Sequence, residues 1–189
     1  MILPQQKNGR FFWGRLAPGE HVVQIYKSDE QFIACLEAFV AEGLEQNECV
    51  IVIATRSHLS ALEHGLRKRG CDLDHSNDQY IAFDAHETLA RLVPGKSPDE
   101  ACLEKFMVEL FARIRGRQIR AFGEMVAILW SRGDYETTLL LEQLWDKIAR
   151  REKFPIFCAY PASSFSGKLE EPVRAICEVH SKVVLDFAT

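Results

Sequence analysis

Apolar and polar positions along this chain alternate in two rhythms. The run HVVQIY, His21 to Tyr26, is apolar and β-branched and predicts a strand. Ser28, with Gln31 three residues on, has the form of a capping box and starts a helix. Phe32, Leu36, Phe39, Val40 and Leu44 then recur at helical spacing, and Gly43 and Asn47 mark the expected end. ECVIVIA, residues 48–54, is apolar at almost every position, as in a strand covered on both faces of a parallel sheet. A second helix follows over SHLSALEHGLRKRG, with Gly70 just past its last turn.

The same alternation continues. YIAFDA predicts a third strand, and the short helix after it stops at VPGKSP. Ser97, Pro98 and Glu100 give a cap, a first-turn proline and a capping-box acid for a helix over about Pro98 to Ile114, which buries Leu103, Phe106, Met107 and Leu110. IRAFGE is the fourth strand and runs into MVAILW. A long helix spans about Tyr135 to Arg151, PIFCAY is the fifth strand, and EEPVRAICEVH is a last helix before KVVLDF. Strands alternating with helices at this spacing imply an α/β fold: three α/β/α layers around a mostly parallel central sheet. Residues 1–17 read as an N-terminal extension and 18–189 as one domain. In the extension, Phe11, Phe12 and Trp13 are expected to pack on the chain's own surface, with a second subunit as the other choice.

Composition narrows the function classes. The 189 residues are 47% hydrophobic and 26% charged, which suits a globular chain with a real core. A net charge of −4 disfavours direct nucleic-acid binding. The RIRGRQIR run, Arg113 to Arg120, reads as a solvated helix end. No apolar run is long enough for a membrane span, and the N-terminus lacks a signal-peptide core. The six cysteines are scattered, without C-x-x-C, and most sit in apolar contexts. They read as reduced core residues of a cytoplasmic protein, and no metal or other cofactor is expected. His21 and His180 flank apolar segments and read as structural residues.

In parallel α/β sheets, ligands sit beyond the carboxyl ends of the strands. The candidate binding residues are therefore those that close each strand: Tyr26 and Lys27, Arg56 and His58, Asp84, Glu124, and Tyr160. They combine hydroxyl handles, cations and carboxylates suited to a small polar or anionic molecule. Arg56 is assigned to an anionic group, Tyr26 and Tyr160 to the walls, and Glu124 to orienting Arg56 or the ligand. Ser28, Thr55 and Ser57 read as helix caps before ligand contacts, and Asp84 also fits a cap. A buried Glu124 needs a partner such as Arg56, Arg120 or a hydroxyl. Catalytic signatures are absent. VPGKSP contains Gly-Lys-Ser but lacks the first phosphate-loop glycine and lies between helices rather than after a strand.

Taken in order, HVVQIYKSDEQF, FVAEGLEQNECVIVIATRSHLSALEHGLRKRG, YIAFDAHETL, IRAFGEMVAILW, LLLEQLWDKI, FCAYPASSF and VHSKVV resemble the MEDS domain, the sensory region of dichloromethane-responsive regulators in methanogens and methylotrophs. The similarity covers about His21 to Val184 and rests on the order and spacing of the segments. It implies a degenerate RecA/KaiC-like scaffold, here without a phosphate-binding loop, and a sensory or signal-transduction role. Such domains accompany DNA-binding regions or histidine kinases. No such region follows before Thr189, so the expected output is through a separate histidine kinase or transcription regulator. The leading expectation is a non-catalytic sensor of a small molecule or partner at the strand ends. The alternatives are an ATP-using enzyme in which Lys27 and Glu124 replace the usual lysine and acid, and a homodimeric interaction module built on RFFWG. The absence of glycine at the β-to-α turn, and the acids Asp29 and Glu30 beside it, disfavour phosphate binding.

Overall fold

The computed structural model describes residues 5–7, 10–14, 16–73, 78–114, 116–165 and 170–185. An antiparallel ribbon of β1 (Gln5–Lys7) and β2 (Arg10–Phe12) precedes the main body. Then come β3 (His21–Tyr26), α1 (Asp29–Glu45), β4 (Cys49–Ala54), α2 (Arg56–Lys68), β5 (Tyr80–Asp84), α3 (Ala85–Leu92) and α4 (Glu100–Ile114). The rest is β6 (Ile119–Gly123), α5 (Met125–Ser131), α6 (Tyr135–Glu152), β7 (Ile156–Pro161), α7 (Glu170–Val179) and β8 (Lys182–Leu185). Six strands form one sheet in the order β5-β4-β6-β7-β3-β8, and every pairing in it is parallel.

Side-chain parity builds the two outer layers, because successive residues of a strand point to opposite faces. Val50, Val52, Phe122, Phe157 and Ala159 join the core under α1 and α2. Cys49, Ile51, Ile53, Ile156 and Cys158 join the larger core under α3 to α7. The three-layer α/β/α expectation therefore holds, with the central sheet wholly parallel. KVVLDF contributes a sixth strand, β8, and MVAILW is a short helix whose residues Met125 to Trp130 are all buried.

Local signals hold in some places and shift in others. Ser28 Oγ accepts the Gln31 N–H at 3.3 Å and caps α1. Gly70 takes φ +79 after α2, the left-handed conformation that glycine adopts without a Cβ clash. Helix α4 begins at Glu100, two residues later than expected, and its cap is Asp99, which accepts the Cys102 N–H at 3.0 Å. Arg120 does not belong to a solvated helix end. It is 1% exposed, paired with Glu48 at 2.6 Å, and donates to the Phe39 carbonyl at 2.9 Å.

Gly43 lies inside α1 rather than at its end. A Cβ there would stand 2.7 Å from Val50 Cγ2 and 2.9 Å from Arg120 Cδ. Both neighbours are fully buried and cannot retreat. Alanine gains about 1 kcal/mol of helix propensity, but overpacking costs about 1–3 kcal/mol. Gly43→Ala is expected to lower the urea midpoint with an unchanged slope. A raised midpoint would mean that α1 can move off β4.

Candidate functional site

Strands β4 and β6 are neighbours, but the chain leaves them in opposite directions. After β4 it crosses through α2 to β5. After β6 it crosses through α5 and α6, on the other face, to β7. The crevice between the carboxyl ends of such a pair is where ligands bind in open parallel sheets. Glu124 stands there, at the end of β6. Its N–H donates to the Ile53 carbonyl at 2.9 Å. Its carboxylate crosses to β4, where Oε2 accepts the Thr55 N–H at 2.8 Å and Oε1 meets His58 Nδ1 at 2.8 Å.

His58 sits in the first turn of α2, which Thr55 caps through its hydroxyl. The imidazole meets Phe32 edge-on, with centroids 5.1 Å apart, and Phe32 stacks on Tyr26 at 4.7 Å with planes 16° apart. Tyr26, Phe32, His58 and Glu124 thus form one continuous wall. Side-chain exposures of 19% for His58 and 10% for Glu124 leave its edge partly exposed. Lys27 is exposed beside it, at the end of β3. Burial, with the charges of Asp29 and Glu124, pushes the Tyr26 phenol well above its ordinary range, so it stays a hydrogen-bond donor.

The hydrogen bond to Glu124 raises His58 above its ordinary value of 6.5, against the opposing effect of burial. A raised folded pKa means that the pair's contribution to stability is complete below the unfolded value. It fades as pH rises through the folded value. In an NMR titration of the imidazole protons, His58 is expected to titrate above 6.5 in the wild type, and Glu124→Gln is expected to lower the midpoint. A midpoint unmoved by Glu124→Gln would contradict the pairing.

The structure does not gather the other candidates into the same wall. Arg56 is 80% exposed and is paired with Asp84 at 3.2 Å and with Glu87. Asp84 also caps α3 by accepting the Glu87 N–H at 2.9 Å. Two carboxylates already answer the guanidinium, so it is a neighbouring surface pair rather than a bare anion clamp. Glu124 orients His58, not Arg56. Tyr160 is on the opposite face from Tyr26: in register Ile25 faces Tyr160 and Tyr26 faces Pro161, so the two tyrosines have opposite parity.

Tyr160 belongs to a buried polar cluster that the strand-end rule could not find. Its hydroxyl donates to Glu142 Oε1 at 2.6 Å. Glu142, fully buried in α6, also lies 3.3 Å from His21 Nε2, 3.5 Å from Cys158 Sγ and 3.5 Å from His180 Nε2. Burial alone would raise the carboxyl, but the histidines and the Tyr160 hydroxyl pull it down to about 2. Burial pushes Cys158 and Tyr160 up, so both keep their protons. One signal for this cluster was present in the sequence: Glu142 falls on the apolar stripe of α6 with Leu141, Trp145, Ile148 and Ala149.

A cavity of about 660 Å³ opens at the other end of the sheet, near the starts of β4, β6 and β7. Arg117, Lys153, Glu48 and Glu152 line it with both signs of charge. No helix among the described residues is long and apolar enough to cross a membrane.

The family model described as MEDS, MEthanogen/methylotroph, DcmR Sensory domain, matches residues 20–181. No curated protein matches the chain.

Proposed function

The chain belongs to the MEDS family of sensory domains, which supports a sensory or regulatory role, and from that premise we propose that it binds a small molecule or partner at the carboxyl edge of its sheet and responds by binding rather than by catalysis. The carrying observation is the link between β4 and β6, in which Glu124 holds Thr55 and His58 at the point where the chain changes direction. A ligand that engages His58 or Glu124 also acts on the first turn of α2, so occupancy is transmitted to a whole helix on the surface. Lys27 and the Tyr26 hydroxyl supply polar handles beside the aromatic wall.

The β3-to-α1 turn supports sensing over phosphoryl transfer. Ser28 is committed to the helix cap, and Asp29 and Glu30 occupy the first turn, where the helix dipole favours an anion and a phosphate would meet their charge. This agrees with a RecA/KaiC-like scaffold whose phosphate loop has been lost. The output in this reading is a separate histidine kinase or transcription regulator that contacts α2.

Native mass spectrometry of the chain purified from its own cells tests the proposal. The wild type is expected to retain a small molecule or a partner that His58→Ala and Glu124→Gln both lose. Retention by both variants, or loss on substituting Arg117 and Lys153 instead, would move the site to the opposite edge of the sheet.

A further inference from the structure

The polar cluster on the other face of the sheet takes no part in the sensory wall. Its residues come from four places: His21 at the start of β3, Glu142 in α6, Cys158 in β7 and His180 just after α7. All four are buried, and one ligand atom from each lies within 4.8 Å of the others. Three of the spacings are fixed more closely. His21 Nε2 is 3.3 Å from Glu142 Oε2 and 3.4 Å from Cys158 Sγ, and Cys158 Sγ is 3.5 Å from Glu142 Oε2. Tetrahedral coordination, with bonds of ~2.0–2.3 Å, sets donor atoms about 3.3–3.6 Å apart. The triangle therefore has the dimensions of one face of such a site. His180 Nε2, 3.5 Å from the other Glu142 oxygen, stands as the fourth donor.

The outer nitrogens agree. His180 Nδ1 lies 2.6 Å from the Ile176 carbonyl, which fixes Nδ1 as the protonated nitrogen and leaves the Nε2 lone pair facing a carboxylate. No hydrogen bond satisfies His180 Nε2. His21 Nδ1 lies 3.5 Å from Asp146 Oδ1, again without a hydrogen bond, while its Nε2 faces the cluster. Each ring thus turns one nitrogen outward to an oxygen and the other inward to a common point. This is how metal-ligating histidines are oriented by their outer partners. Hydrogen bonding alone leaves lone pairs facing lone pairs at His180, whereas a cation at the common point satisfies every inward atom.

We propose that His21, Glu142, Cys158 and His180 form a closed site for a divalent transition metal, with zinc(II) as the class that the N, N, S, O donor set selects. Four protein donors leave no open position, as in structural rather than catalytic zinc sites. Metal uptake displaces the Cys158 thiol proton and any proton on His21 Nε2, while the His180 Nε2 lone pair is already open, so binding releases protons. The bound ion ties α6 and the end of α7 to β3 and β7. Tyr160 then serves as an outer partner that donates to the Glu142 oxygen and sets the carboxylate's orientation.

Cobalt(II) titration of the chelator-treated full chain tests this, because a thiolate ligand produces a charge-transfer band and a tetrahedral field gives intense visible bands. One cobalt per chain is expected, with zinc(II) displacing it and abolishing both features. Cys158→Ser is expected to remove the charge-transfer band. Asp146→Asn, altered only at an outer partner, is expected to weaken binding about 10–100-fold with an unchanged circular dichroism spectrum. A folded wild-type chain that shows no cobalt bands overturns the proposal. So does a charge-transfer band that survives in Cys158→Ser, which would place the metal on another cysteine, or unaltered affinity in a folded Asp146→Asn.

Discussion

Replacing Glu142 with alanine is expected to cost about 3–5 kcal/mol of folding stability, the range for breaking a buried charged pair by removing one partner. The carboxylate is fully buried and answers Tyr160, Cys158 and His21 at 2.6, 3.5 and 3.3 Å. Its removal leaves a buried phenol, a thiol and the His21 imidazole without their common acceptor, and also opens a void beneath α6. Glu142→Gln is the milder comparison, since its amide oxygen still accepts from Tyr160 while the charge is lost. Urea unfolding of the chelator-treated protein, followed by circular dichroism, measures both. A loss under about 1 kcal/mol for alanine would mean that the cluster is hydrated or rearranged rather than buried as described.

Trp13→Ala is expected to be comparably damaging, at about 3–5 kcal/mol. Trp13 falls within residues 1–17, a segment that reads from sequence as an extension, yet it is 1% exposed. Its ring packs edge-on against Phe157 at 4.6 Å and Phe39 at 5.1 Å, and Nε1–H donates to the Cys35 carbonyl at 3.0 Å. The Glu42 carboxylate accepts the N–H groups of Trp13 and Gly14 at 2.8 and 3.0 Å. The choice between self-packing and a second subunit is therefore decided for Trp13, which seals the α1 face of its own sheet. The side chains of Phe11 and Phe12 lie outside the described residues. Trp13→Phe should recover much of the loss, because it refills most of the space but cannot reach the Cys35 carbonyl. Urea midpoints for the two variants test this order, and equal, small losses would show that the segment is not anchored.

Much of the fold was legible because each buried strand carries its own pattern. CVIVIA is apolar on both parities, and all six residues are buried between two helical layers. Gly43 was misread because a glycine in a helix carries the same letter whether it ends the helix or lets β4 and Arg120 approach. Only the packing distinguishes the two. Arg120 was misread for a related reason: its partner Glu48 lies 72 positions away, in the turn before β4, so its burial leaves no local trace.

The site was legible to the same depth. Of the residues that the strand-end rule selected, His58 and Glu124 come together, since Thr55 and Glu124 close neighbouring strands. It grouped Tyr160 with Tyr26 because strand register is not written in either strand alone. One residue of offset sends the two rings to opposite faces. The polar cluster was still harder to see. His21 and Cys158 are 137 positions apart, and neither shows paired spacing with another ligand. A glutamate on the apolar stripe of α6 was its one local sign.

The central claim is that the carboxyl edge of the sheet is where this domain senses. Backbone amide NMR tests it most directly: ¹⁵N-labelled chain is mixed with the small-molecule fraction of its own cells. The account predicts shift changes confined to Tyr26–Ser28, Thr55–His58 and Gly123–Glu124, and their loss in Glu124→Gln. Changes centred instead on Gly116–Gln118 and Lys153, around the cavity at the opposite edge, would contradict it.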